Sequence, residues 1–338
     1  MKLNFRRDVL LILFLIFTTL IIAVPKVDYD WHTPEKNIST IALGLGGLNQ
    51  IYPEDYFIAY SNPSLLALRS GSYFSSSFRS RRMDEKPLND ILSPSYLLHK
   101  KQFVYYTFSA PKFAFSYQPI MDINTSVSND TLNTYHDLYM NCYTISLAAS
   151  DETYKNLTIG FNLKFLNGRQ IYNKNIKNNN LWEAAEFVDD SAIGYAVDLG
   201  LSYHKNTMLV GLTLHDVVSK IYWDEKNDTH LRQRYSFGAG FYNEKSTFSV
   251  STQGRFNQPD ESTYHIGYGY SLGLGKSATQ SFGFKTGLYG SKFDKMKNMY
   301  YTLGIGYTVS MFRVDISAIS KGFTARNTDY LFSITVGR

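Results

Sequence analysis

The chain has 338 residues, 16% of them aromatic (27 Tyr and 23 Phe) and only 19% charged. A formal charge of +5 without a basic cluster leaves no footprint for nucleic acid, and the slightly negative mean hydropathy excludes a bundle of apolar membrane helices. The single cysteine, Cys142, excludes an internal disulfide framework.

The N-terminus carries Lys2, Arg6 and Arg7, then sixteen residues without a charge, Val9 to Val24. A basic start and a short apolar core are the two parts of a secretory signal peptide, here residues 1–24. The rival reading is an uncleaved anchor, but the run is shorter than the roughly 20 residues a spanning helix needs. No Cys follows to carry a lipid anchor, and no second apolar run of that length appears. An exported chain without helical spans is secreted, periplasmic or an outer-membrane barrel.

Residues 25–70 have their own chemistry. Gly44, Gly46 and Gly47 make a turn free of Cβ atoms. The acidic pair Glu54-Asp55 follows, then Tyr60-Ser61-Asn62-Pro63. Ser61 or Asn62 can cap a short helix with Pro63 at its first position, continuing through Leu66 to Leu68. The Gly-Leu-Gly-Gly stretch lacks the Lys-Ser/Thr of a phosphate loop.

From residue 71 onward the pattern is strict alternation. Tyr264, Ile266, Tyr268, Tyr270, Leu272 and Leu274 are interleaved with His265, Gly267, Gly269, Ser271 and Gly273. Similar rows recur around 157–165, 193–204, 208–214, 235–241, 282–288, 301–309 and 312–318. Successive strand residues point to opposite faces, so each segment has one large apolar face and one small or polar face. The length fits a tilted membrane-spanning strand, and Tyr195, Tyr203, Tyr264, Tyr301 and Tyr307 near segment ends fit interfacial girdles.

A soluble sandwich or solenoid is the rival, but its solvent face would carry charge rather than Gly, Ser and Thr. The count is about fourteen strands, an even number that puts both ends of the barrel on the periplasmic side. The expected architecture is therefore an all-β transmembrane antiparallel barrel over 71–338, with the 25–70 segment inside it as a short helical hatch. Lys164, Asp198, Lys285, Arg313 and Asp315 face inward, where they should pair and pin the hatch, or meet a ligand carboxylate through Arg313 or Lys164. Long outer loops are expected at 120–137, 171–189, 217–231 and 290–298, the second briefly helical in pattern. The seven His are scattered, and the pair His204 and His215 without a nearby acid argues against a metal site.

The order Ala42-x-Gly44-x-Gly46-Gly47, the acidic pair, then Tyr60-Ser61-Asn62-Pro63-x-x-Leu66-Ala67 resembles the hatch of the FadL-type outer-membrane transporters. It is equally similar to that of their PorV/PorQ-type relatives. The strand around Asp198 and the following Val210-Gly-Leu-Thr-Leu fit as well. In those families a Gly-Gly segment leads to Asn-Pro-Ala; here Ser64 replaces the Ala, and Leu65-Leu66 replaces Gly-Leu. The resemblance implies fourteen strands, in agreement with the independent count. The chain ends on Arg338, where many outer-membrane barrels end on an aromatic residue read by the assembly machinery.

Two functions follow from the resemblance. One is passage of a hydrophobic, fatty-acid-like small molecule through a hatch-gated lumen in contact with outer-membrane lipid, with no cofactor. The other is a non-transporting component that binds an exported protein through loops 120–137 and 171–189. A hydrolase would need a Ser–His pair; His265 and Ser271 share a face but stand six positions apart. The expectation is that the protein is not an enzyme.

Overall fold

The computed structural model describes residues 37–81, 93, 103–150, 156–178, 181–225, 227–256, 258–274, 280–293, 296–322 and 328–337. The expected signal peptide, residues 25–36 of the expected hatch segment and Arg338 lie outside them. The alternating rows form fourteen antiparallel strands in chain order: β1 (Tyr73–Arg81), β2 (Phe103–Ala110), β3 (Phe113–Ser128), β4 (Leu132–Ser150), β5 (Leu157–Asn178), β6 (Leu181–Lys205), β7 (Met208–Trp223), β8 (Arg234–Tyr242), β9 (Ser246–Arg255), β10 (Gln258–Leu274), β11 (Gln280–Gly290), β12 (Tyr300–Val309), β13 (Phe312–Lys321) and β14 (Thr328–Gly337). Each pairs with its sequence neighbours, and β1 pairs with β14 from Tyr73↔Gly337 to Arg81↔Asp329, so the barrel is closed. Closure leaves no sheet edge within the wall, which is what a sheet in hydrocarbon requires.

At the rim where β1 begins and β14 ends, three turns are only two residues long. They are tight enough to hold Lys112, Asn206 and Ser310 at φ of 65°, 55° and 54°. The outward rows are exposed as the alternation requires. On β10, Tyr264, Ile266, Tyr268 and Tyr270 are exposed, while His265, Gly267 and Gly269 are buried. Such a band would be an aggregation surface in water and is an ordinary surface in lipid.

Two of the expected long loops are instead strand. Residues 120–137 belong largely to β3 and β4, which meet at a turn near Asn129, and 171–189 belong to β5 and β6. The Asn- and Lys-rich 171–178 pairs against 181–189, so the helical look of the latter is overridden by cross-strand pairing. At 22 and 25 residues, β5 and β6 run well beyond bilayer length. Of the other two expected loops, β7 extends through 217–223, and 290–298 contains a 3₁₀ turn, Met296–Asn298.

The hatch lies in the lumen. It consists of α1 (Thr40–Gly44), α2 (Ile58–Ser61) and a 3₁₀ helix (Pro63–Leu68). These are single turns, too short to stand alone in water; they are held by what surrounds them. The wall meets them with glycine. A Cβ at Gly160 would lie 2.4 Å from the Pro63 carbonyl carbon, one at Gly200 2.4 Å from Asn62 Oδ1, and one at Gly211 2.2 Å from the Gln50 carbonyl oxygen. Further round, a Cβ at Gly267 would lie 2.2 Å from the Leu45 carbonyl oxygen, and one at Gly287 2.4 Å from the Gly46 nitrogen. Gly160 faces Gly200, and Gly267 faces Gly287, across neighbouring strands. The small inner face is therefore a seat cut to the hatch main chain.

Gly160→Val should unseat the 3₁₀ helix and lower barrel stability by about 1–3 kcal/mol. Gly273→Ala, where a Cβ meets nothing within 4 Å, should change it by less than about 0.5 kcal/mol. Urea unfolding of the detergent-solubilised barrel, followed by tryptophan fluorescence, measures both.

Candidate functional site: hatch, charged belt and apolar chamber

The hatch is built locally before it meets the wall. Ser39 caps α1, its Oγ accepting from the Ala42 N–H at 3.0 Å. Ser39 also donates to both carboxylate oxygens of Asp55 at 2.8 Å, and Asn49 Nδ2 and the Phe57 N–H donate to the same carboxylate. Asp55 is fully buried, whereas its neighbour Glu54 is exposed. Burial pushes the Asp55 carboxyl above the usual range, and the Phe57, Asn49 and Ser39 donors and then the Arg69 charge work against that rise. Asn62 caps the 3₁₀ helix, with Oδ1 accepting from Ser64 N–H at 3.1 Å and Ser64 Oγ at 2.7 Å, and Pro63 takes the first position.

The other motif residues are contact points. Gly44 ends α1 against Lys285 and Gly304. Gly46 and Gly47, at φ of 89° and 87°, turn the chain past β10 and β11. Leu66 is buried with Leu65, Ile58, Ala114 and Leu209.

Neutral hydrogen bonds complete the seating. Ser317 Oγ donates to the Thr40 carbonyl at 2.6 Å, and Thr40 Oγ1 meets Ser333 Oγ at 2.8 Å. Thr302 Oγ1 donates to the Gly44 carbonyl and accepts from the Gly46 N–H, both at 3.2 Å. His265 Nδ1 donates to the Gly46 carbonyl at 2.6 Å, and the ring stacks on Tyr289. On the far side Asn162 Nδ2 donates to the Ala59 carbonyl and Asn62 Nδ2 to Ser202 Oγ, each at 3.0 Å. His265 thus serves the hatch, its other ring nitrogen being bonded to Thr263 Oγ1.

The five inward charges fall into two groups on the wall. Lys164 Nζ lies 2.7 Å from Asp198 and 2.8 Å from Asp216. The Asp216 N–H donates to Asp198 Oδ1 at 2.8 Å, His215 stands 3.8 Å from Asp198, and Arg234 stands 3.7 Å from Asp216. In the second group Arg313 holds Asp315 by two bonds of 2.6 and 2.8 Å, and Lys285 approaches the same carboxylate at 3.4 Å. These ion pairs run within the wall, so the charges pair with one another rather than reach into the hatch. Arg313 does face it, over the Tyr56 ring at 5.5 Å.

His215 and Arg234 keep the inward parity of β7 and β8, but Asp216 is a partner that strand periodicity does not reveal. Asp216 continues the outward row Met208, Val210, Leu212, Leu214, where a carboxylate would face lipid. Instead β7 bulges: Leu214 pairs with Leu199 and Val218 with Val197, leaving Asp198 opposite three residues. Asp216 sits in that bulge at φ 56°, and its side chain is turned inward and buried. An acid in an otherwise apolar row was the available signal.

Further along β3 to β7, away from the short turns, the inward side chains become apolar. Ile120, Leu138, Met140, Cys142, Leu166 and Trp223 belong to one buried cluster. Leu231, from the segment joining β7 and β8, is part of it and only 3% exposed. It is tied down by its N–H donating to Ser219 Oγ at 3.0 Å, by Ser219 Oγ donating back to its carbonyl, and by the Ile221↔Thr229 bridge. The cavity remaining between this cluster and the belt is about 20 Å³, lined by Tyr60, Tyr105, Cys142, Lys164, Leu166 and Leu231 among others. That is room for one water. Among the described residues no group of His, Cys, Asp and Glu is placed to hold a metal, and no helix is long and apolar enough to cross a membrane.

No family model and no curated protein matches the sequence. Solved structures do. The Pseudomonas putida toluene transporter TodX is similar over 90% of this chain and 98% of its own, with a TM-score of 0.55 at 9% identity. The barrel and its hatch share that transporter's fold. The Ralstonia pickettii toluene transporter TbuX is similar over 89% of this chain and 97% of its own, with a TM-score of 0.53 at 11% identity. At such identity the likeness speaks for the fold.

Lys164→Met should strand two buried carboxylates and cost about 3–5 kcal/mol of barrel stability. Adding Asp216→Asn should recover part of the loss. A double-mutant cycle in urea unfolding reads the coupling directly.

Proposed function

We propose that the protein is an outer-membrane barrel, exported by a cleaved signal peptide, that passes hydrophobic small molecules through its hatch-gated lumen. The observation that carries this reading is the buried apolar cluster on the lumen side of β3 to β7, closed by Leu231. A lumen that only had to be closed or wetted would not need a buried cluster of Ile, Leu, Met and Trp side chains above a seated hatch. Such a surface rewards an apolar guest by about 25 cal/mol for each Å² removed from water. Toluene transporters of the same fold support the reading.

In this mechanism a molecule arriving from the long-strand side displaces Leu231 and takes its place among Met140, Leu166 and Trp223. A polar end, where the guest has one, points toward Lys164 at the floor of the chamber. The guest then needs a local shift of the hatch to go further. No nucleophile or cofactor takes part, since the concentration gradient supplies the drive.

Leu231 is the residue to test. Leu231→Ala should open the chamber and speed uptake of labelled toluene or a long-chain fatty acid by several-fold over the wild-type protein. Met140→Trp should overfill it and slow uptake to a similar degree. Uptake by cells carrying the folded barrel that equals uptake by empty cells for both compounds refutes the function.

A further inference from the structure

β6 extends beyond its neighbour on one side. Its pairing with β7 stops at Ala192↔Trp223, while its pairing with β5 continues to Asn178↔Leu181. Among the described residues, the stretch from Leu181 to Asp189 is paired along one edge only, and no described residue pairs with the main-chain donors and acceptors of its other edge.

The side chains of this stretch are unusual for an edge. Leu181 is 69% exposed, Trp182 48% and Phe187 66%. Glu183, Glu186, Asp189 and Asp190 lie among them, and 181–191 contains no Lys or Arg. Asp189 is bound by Arg169 at 2.6 and 2.7 Å, and Asp190 is buried, accepting from the Glu225 N–H at 2.9 Å. Glu183 and Glu186 are exposed and have no ion-pair partner among the described residues. Charge by itself is a common device for keeping an edge from pairing. Large exposed apolar side chains defeat that purpose, because they attract whatever approaches. The combination selects rather than repels.

We propose that the outer edge of β6 binds an extended, lysine- or arginine-rich segment of another protein as an added β-strand. Main-chain bonds along the edge supply affinity, and Trp182 and Phe187 cover alternate side chains of the guest. Glu183 and Glu186 then select for positive charge. A second copy of this chain does not fit, because its own edge brings the same acids face to face with these. The inference is independent of hydrophobic passage, which uses the lumen.

The test uses the full-length barrel in detergent and a fluorescent peptide of roughly nine residues, alternating Lys with Val and Thr, at physiological salt. Anisotropy should show saturable binding. It should weaken at least tenfold for the glutamate counterpart, for a scrambled peptide of the same composition, and for the same peptide N-methylated at alternate amides. The Glu183→Lys/Glu186→Lys protein should lose binding at least tenfold while keeping wild-type uptake, which separates this edge from the lumen. Equal binding of the scrambled or N-methylated peptide would reduce the effect to simple charge attraction and overturn the proposal. So would absence of binding, or binding indifferent to the double substitution.

Discussion

A peptide group in hydrocarbon has no water to bond to, and that requirement organises the molecule twice over. In the wall it forces every strand to find two neighbours, so β1 must meet β14. In the lumen it applies again, because the single-turn helices of the buried hatch leave most of their backbone groups without partners of their own. The wall answers on its inner face with two kinds of residue. Glycines at 160, 211, 267 and 287 let the hatch backbone come to contact distance, and Gly200 makes room for the Asn62 and Pro63 side chains. Hydroxyls and amides on that face, such as Ser202, Thr302, Ser317 and Asn162, then bond its carbonyls, amides and polar side chains.

The charges follow a separate logic. Lys164 and Arg234 offset Asp198 and Asp216, and Arg313 offsets Asp315, at positions too buried to be left single. Most of the bonds to the hatch are neutral, each worth on the order of 1 kcal/mol net, while Arg79 Nη2 donates to the Asn37 carbonyl at 3.1 Å and Arg313 lies over the Tyr56 ring. No single one of these bonds fixes the hatch by itself.

Much of this was legible in the residues, for reasons that mark where legibility stops. Rows such as Tyr264 to Leu272 betray strands because lipid enforces one face and the seated hatch enforces the other. Where neither acts, the pattern fades. Residues 171–178 and 181–189 lack the row of large apolar against small residues, and read as loop and helix although they pair as strand. The Asn62-Pro63 cap was legible because capping is a matter of adjacent residues. The partnership of Lys164 with Asp216 was hidden by a bulge that reverses the parity of one side chain. The inward turn of Leu231 is hidden more deeply, since it is set by Ser219, twelve positions away, and by no local periodicity.

The order of hydrogen bonds around the hatch also bears on how the chain is put together. Its first described helix is fastened by Ser317 and Ser333, which belong to the final two strands, whereas its Asn62 end rests on β5 and β6. The two ends of the hatch therefore depend on opposite parts of the chain: with the final two strands absent, the first helix would lack both of these bonds, while Asn62 could still rest on β5 and β6.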